Sequence, residues 1–324
     1  MDTYSKGLHD VGSGCYAWLQ PDGGWGWSNS GVITGSGASM LVDTLFDLAT
    51  TAEMLDGIAA ITNRFPLQTL VSTHSDGDHY FGNQLLADRN VEIVASEAAA
   101  ALMTQEAVDE LAALKRADGK LGQFARAVLA PFTFEGMTST GPTRTFSGEL
   151  SLDVGGREVR LIQVGPAHTS GDTLIYVPDA KLMFAGDILF IGGTPIVWSG
   201  PTQRWIAACD LLLDLDLDVI VPGHGPVTDK LGVHEVRDYL RFIVTEATKR
   251  FEDGLDVAAA IASMDRGGYA SMPQSGRLVQ NVLNVYQSLD PDAPHPSTAE
   301  VLQQIAALEG FVDPRISHSS GAVH

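Results

Sequence analysis

Cysteine is nearly absent from this chain: Cys15 and Cys209 are the only two in 324 residues. Two cysteines cannot make the disulfide framework of a small secreted protein, and their spacing is not that of a zinc knuckle. A reducing cytoplasm is the location they fit. Long apolar runs are missing too. No stretch of about 18 apolar residues occurs, so no membrane span is expected. The first ten residues hold no basic region followed by an apolar one, so no secretory signal is expected either. Positive charge is scarce, with 20 Lys and Arg against 40 Asp and Glu and a formal net charge of −20. A surface that acidic repels phosphate backbones and anionic lipid, so neither nucleic acid nor a membrane is expected as a partner. Its plain meaning is solubility. The hydrophobic content of 44% is ordinary for a globular core. The length suits one large domain or two smaller ones.

Histidine is scarce as well, with nine residues in all, and one stretch concentrates it. Ser72 to Asn83 holds two imidazoles, His74 and His79, and two carboxylates, Asp76 and Asp78, within six residues. It follows an apolar run, Leu67 to Val71, that reads as a short buried strand. Ser75 and Gly77 separate the polar residues, so the segment is expected to be a loop rather than a helix. A loop that ends a strand can aim several side chains at one point. Neutral imidazole and carboxylate are ligands that suit zinc, iron or manganese.

Three later segments repeat the pattern of an apolar run stopped by a glycine-flanked His or Asp. They are Gly165 to Asp172 with His168, Lys181 to Asp187, and Asp218 to Gly225 with His224. One such histidine alone would read as a structural residue; four segments together read as a metal site.

Elsewhere the chain alternates strand and helix, which is the α/β pattern. Short strands are expected at Cys15–Leu19, Ser30–Thr34, Ser39–Asp43, Val91–Ala95, Leu150–Val154, Glu158–Val164 and Thr173–Val177. A helix is expected over Thr50–Asn63 and a short one over Asn83–Asp88. Another, capped by Ser96, should run toward Arg116. Residues 97–141 read as a helical insertion or lid. Asp229 to Leu308 is largely helical by pattern, broken at Gly267-Gly268 and Pro273, and the tail 313–324 is expected to fray. Its His318 and His324 are poor ligand candidates. Trp25 and Trp27 lie in the glycine-rich loop 21–27. They read equally as an apolar flap beside a substrate pocket or as rings packed on the domain edge.

On these residues the chain resembles the metallo-β-lactamase superfamily. That family's signature is His-x-His-x-Asp-His, followed by a distant His, a distant Asp and a last His. Here it reads His74-x-Asp76-x-Asp78-His79, then His168, Asp187 and His224, and the likeness covers about residues 10–230. The resemblance implies an αββα sandwich, two mixed sheets face to face with helices outside, over residues 1–230. Residues 231–312 would be a C-terminal helical extension packed on that core. The resemblance also implies a dinuclear metal site at one edge. His74, Asp76 and His168 would hold the first ion; Asp78, His79 and His224 the second; Asp187 would bridge. Asp78 would double as the catalytic base.

The departure is Asp76, where most hydrolases of the family have histidine. An added carboxylate neutralises the remaining positive charge of a two-ion site. It should weaken the site's pull on water and anions, and it moves the metal preference from zinc toward iron or manganese. Asp is also short, so its reach to the metal is a point for the structure to decide. The implied function is hydrolysis of a small ester, thioester, lactone or amide by a metal-bound hydroxide, with two divalent ions, zinc first among them. Oxygenase, redox or lyase chemistry at a di-iron or mixed-metal site is the alternative that Asp76 raises; a non-catalytic metal-binding member is a further one. A small-molecule substrate and a homodimer are the expected partners.

Overall fold

The computed structural model describes residues 4–87 and 89–311. The tail 313–324 with His318 and His324 lies outside the described residues.

Among the described residues, twelve strands form two sheets. In the first are β1 (Gly7–Gly12), β2 (Cys15–Leu19), β3 (Ser30–Gly35), β4 (Ala38–Val42), β5 (Leu67–Val71), β6 (Glu92–Ser96) and β7 (Arg144–Phe146), side by side in chain order. Neighbours are antiparallel as far as β4 and parallel from β4 to β7. The second sheet holds β8 (Glu149–Val154), β9 (Arg157–Gln163), β10 (Thr173–Val177), β11 (Leu182–Phe190) and β12 (Val219–His224). Its strands also follow chain order, antiparallel except for the β11–β12 pair.

Side chains alternate across a strand, and the alternation builds three layers of core here. Cys15, Ala17, Met40 and Val42 face inward and meet Val159, Leu161, Ile175 and Phe184 of the second sheet. Trp18, Leu41 and Leu70 face the other way and pack on Met54 and Ile58. These belong to the helical segment α1 (Leu48–Gly57) and α2 (Ala59–Thr62). On the far face of the second sheet, Leu174, Met183 and Ile220 pack against α7 (Thr202–Asp214) and α8 (Lys230–Glu252). Helices thus flank both sheets, as an αββα sandwich requires.

Four smaller helices lie on the path between β5 and β7: α3 (Gly77–Tyr80), α4 (Glu97–Ala100), α5 (Gln105–Arg116) and α6 (Gly119–Val128). After α8 come α9 (Val257–Ser263), α10 (Leu278–Leu289) and α11 (Thr298–Leu308). No described helix is long and apolar enough to cross a membrane.

Several sequence expectations need correction. The helix expected over Thr50–Asn63 starts earlier and breaks in two. Asp47 caps it through a capping box with Thr50, and Gly57 ends its first part where an added Cβ would lie 2.2 Å from the Trp18 ring. The run from Ser96 toward Arg116 is interrupted, because Thr104 starts a second helix with its own cap. The short helix expected over Asn83–Asp88 is a 3-10 turn at Phe81–Leu85, and Asp88 itself lies outside the described residues. The motif after β5 is not loop throughout. Gly77–Tyr80 closes into one helical turn with Asp76 at its N-cap, which turns Asp78 and His79 back toward the sheet. Asp187 does not end a strand either. It sits inside β11, just after a register shift at Gly186, whose φ of 50° is a conformation that suits glycine.

Candidate metal centre

Seven side chains converge at one edge of the sandwich. His74, Asp76, His168 and Asp187 form one group and Asp78, His79 and His224 another, the ligand atoms of each lying within 4.8 Å of one another. The first four motif residues come from the corner after β5; Asp187 and His224 come from strands of the second sheet, and His168 from its β9–β10 connection. Asp187 lies between the groups: its carboxylate oxygens are 3.0 Å from His79 Nε2, 3.3 Å from His168 Nε2, 3.4 Å from His224 Nε2 and 3.8 Å from His74 Nε2. Asp76 does reach the cluster, with Oδ2 3.1 Å from His168 Nε2. Asp78 Oδ2 lies 3.4 Å from His224 Nε2.

Every imidazole is held by its other nitrogen. His79 Nδ1 donates to Asp43 Oδ2 at 2.8 Å, His168 Nδ1 to the Ile196 carbonyl at 2.7 Å, and His224 Nδ1 to the Gly23 carbonyl at 3.2 Å. Those partners can only accept, so they place the hydrogen on Nδ1. His74 Nδ1 meets Thr73 Oγ1 at 2.9 Å, and that hydroxyl donates its own hydrogen to Asp43 Oδ2 at 2.8 Å. His74 therefore donates too. All four Nε2 lone pairs are left pointing inward, the arrangement by which outer partners orient metal-binding histidines.

The donor set fits a divalent metal. His74 Nε2, His79 Nε2 and Asp187 Oδ1 are buried with no hydrogen-bond partner. His79 Nε2 and Asp187 Oδ1 face each other at 3.0 Å as two electron-rich atoms, an arrangement that needs a cation or a proton between them. Without metal, protons fill that need. Burial opposes a charge on His168, but Asp76 and Asp187 outweigh it and raise its pKa to about 9. Burial likewise opposes charge on His79 and His224, and Asp187 beside them shifts both upward. For Asp187, burial is outweighed by His224 and His79, which hold its carboxyl well below the usual range. His74 goes the other way, pushed down to about 3 by burial and by His79.

The backbone around the cluster is close-packed. A Cβ on Gly223 would lie 1.9 Å from Asp187 Oδ1. Asn29 Nδ2 donates to the Pro222 and Gly225 carbonyls, fixing the turn that carries His224. The Ser28 hydroxyl donates to the Asp78 carbonyl.

Asp43 is the residue that sequence reading missed. It accepts from Thr73 N–H at 2.6 Å as well as from Thr73 Oγ1 and His79 Nδ1, so it orients two ligands. Its backbone φ is 60°, an uncommon value for a non-glycine residue. The available signal was the apolar run Ser39–Asp43 stopping at an aspartate, but no histidine or glycine flanks it.

A cavity of about 480 Å³ opens over the cluster. Asp76, Asp78, His168, Asp187 and His224 form its floor. Its walls are largely apolar. Leu111 and Leu114 of α5, Phe124 of α6 and Leu302 of α11 cover it, so the 97–141 segment and the C-terminal helices both reach the site. The two tryptophans part company. Trp25 lines the cavity, whereas Trp27 is not among its lining residues and packs on Phe132, ring centres 4.8 Å apart.

The chain is similar to several known proteins. The alpha subunit of 2,4-dinitroanisole O-demethylase from Nocardioides sp. (strain JS1661) is 30% identical over 195 residues, 59% of this chain and 51% of that protein. A linear primary-alkylsulfatase from Pseudomonas sp. (strain ATCC 19151) is 30% identical over 141 residues, 40% of this chain and 26% of that protein. The chain thus spans about half the length of the first relative and about a quarter of the second. Among solved structures, an inverting sec-alkylsulfatase from Pseudomonas sp. superposes with a TM-score of 0.61 over 90% of this chain and 52% of its own, at 21% identity; that likeness concerns the fold. These relatives are enzymes by name. The family model described as the metallo-beta-lactamase superfamily matches residues 23–224, and the chain belongs to that superfamily.

Proposed function

We propose that the protein is a metal-dependent hydrolase that cleaves an ester-type bond in a small molecule with an apolar body. The observation that carries this reading is the pairing of two features: a His/Asp cluster whose His168, His224 and three carboxylates reach the floor of a cavity, and apolar walls above them. The two donor groups support two ions, zinc first, with iron or manganese favoured by the reach of Asp76 to the first group. Divalent ions held there would make water acidic and polarise the bond to be cleaved. The chain's own residues do the rest. Asp78 points its carboxylate into the cavity floor, where it can orient water and take its proton. Trp25 and the apolar walls bind the substrate body and exclude bulk water. The alkylsulfatase relatives support sulfate esters as one candidate class beside carboxylic esters, thioesters, lactones and amides.

A second reading rests on the demethylase relative: addition of water across an activated aryl methyl ether, giving a phenol and methanol. Because that relative is by name a subunit, assembly with a second chain, a homodimer first, belongs to the proposal, as does a cytoplasmic location. Light scattering on the purified protein tests the assembly.

Elemental analysis of the purified protein, followed by turnover of an ester panel and of 2,4-dinitroanisole with and without chelator, tests the chemistry. Ester turnover that needs metal but not oxygen is the expected result. Loss of turnover under strict anaerobiosis would remove the hydrolytic reading and favour redox chemistry.

A further inference from the structure

Arg277 has an unusual position. It is 2% exposed and lines the cavity over the metal cluster, yet it forms no ion pair with any described carboxylate. Among the described residues only Nη1 finds an acceptor, the Thr194 carbonyl at 2.8 Å. Nε is buried without a partner, and Nη2 donates to no described residue. The guanidinium carbon lies over the Trp25 ring, 4.1 Å from its centre, and 5.3 Å from the centre of Phe190. Both rings attract the cation and confine it. Burial pulls its pKa down to about 10, so it is still a cation at neutral pH. Buried charges are ordinarily paired. Here the cation is held rigidly, with the Nε–Nη2 edge unused. That edge carries two parallel N–H groups, which match two oxygens of a carboxylate or sulfate.

We propose that Arg277 is the specificity-determining residue of the cavity and that it receives an oxyanion on the substrate, so that the protein acts on amphiphilic anions rather than on neutral esters. The proposal rests on the reading of this cavity as the substrate site. It also answers the charge problem posed by Asp76. An added carboxylate weakens the metal cluster's attraction for anions, and Arg277 restores a positive charge on the cavity wall, near Asp187 and Asp78 but in contact with neither. The apolar walls from α5, α6 and α11 suit the other end of such a molecule. Arg277 lies beyond residues 23–224, the stretch that matches the family model, so it is supplied by the C-terminal helical part of the chain.

Equilibrium binding tests this without requiring turnover. The probes are decanesulfonate, decanoate and decanol, titrated by calorimetry into the wild type, Arg277→Met and Arg277→Lys. Each protein is used both zinc-loaded and after chelation, since bound ions attract anions themselves. Arg277→Met is expected to weaken one or both anions by about tenfold to a hundredfold, as loss of a charge-assisted pair should, and to change decanol binding by less than about twofold. The sulfonate and decanoate arms identify which oxyanion geometry the site prefers. Arg277→Lys keeps the charge but loses the fork and should recover only part of the affinity. It carries the test alone if the methionine variant does not fold. Equal weakening of all three probes would make Arg277 a structural staple under Trp25 and overturn the proposal, as would anion affinity unchanged in either variant. Wild-type protein that binds the anion through Arg277 but cleaves no ester would overturn the hydrolase reading and leave this one standing.

Discussion

Asp43 accepts hydrogen bonds from His79 and from both polar groups of Thr73, and Thr73 in turn holds His74. One carboxylate thereby sets the orientation of a ligand in each metal group. Outer partners of this kind typically contribute about tenfold to a hundredfold in metal affinity. Asp43→Ala should therefore weaken zinc retention by about that factor, read by competition with a chromophoric chelator, while the far-ultraviolet dichroism stays unchanged. The protons that the cluster holds without metal give a second expectation. His168, raised to about 9, is protonated at neutral pH and must lose that proton to act as a ligand. Metal uptake should release protons, and apparent affinity should rise as pH increases from 6 toward about 9 and fall on acidification. Calorimetry in buffers of different ionisation enthalpy measures the proton count. At Asp76, exchange to histidine should raise zinc over iron in the isolated protein, because imidazole replaces the harder oxygen ligand. Elemental analysis of wild type and Asp76→His, expressed in the same medium, decides this.

Among the elements, the β11–β12 pair constrains the site most tightly. Gly223 of β12 presses on Gly186 and on the Asp187 carboxylate of β11. Gly223→Ala should push Asp187 out of place, with a loss of about 1–3 kcal/mol in stability from overpacking and a sharp drop in bound metal, read by denaturant titration and elemental analysis. The strands themselves were legible in the sequence because each is a short apolar run with glycine, proline or asparagine at its ends. Leu67–Val71 and Thr173–Val177 fall where the pattern puts them. The candidate ligands were marked by His or Asp beside glycine at the close of apolar runs, and Asp187 carries that mark although it lies inside β11 rather than at its end. What was not legible came from packing between distant segments. The helical turn at Gly77–Tyr80 closes over four residues, too few for any periodicity to register. Asp43 carries no local mark of the two histidine ligands it serves, because its partners lie 30 and 36 positions away. Arg277 lies in a helical region whose pattern shows only an apolar stripe, and that it feels Asp187 and Asp78 without contacting either is a property of the fold.

At the scale of the whole molecule, an ion held by the cluster would be coupled to stability. An ion that binds only the folded chain stabilises it by RT ln(1 + [metal]/Kd), about 2.7 kcal/mol at a hundredfold excess over Kd. Chelation should lower the melting temperature, and re-addition of zinc should restore it. The two thiols, Cys15 and Cys209, are buried and shifted up to about 12 by that burial, so neither should compete for the metal or react with thiol reagents until the chain unfolds. The division of ligands has a further outcome. Four of them precede the Ser147–Gly148 turn between β7 and β8, and three follow it, so each set belongs to the half of the chain that builds one sheet. A polypeptide nicked at that turn would give two halves, each with an incomplete coordination shell and an uncovered sheet face. Divalent metal would then act as the rivet that decides whether the halves rejoin, which makes the fold a natural starting point for a metal-triggered split protein.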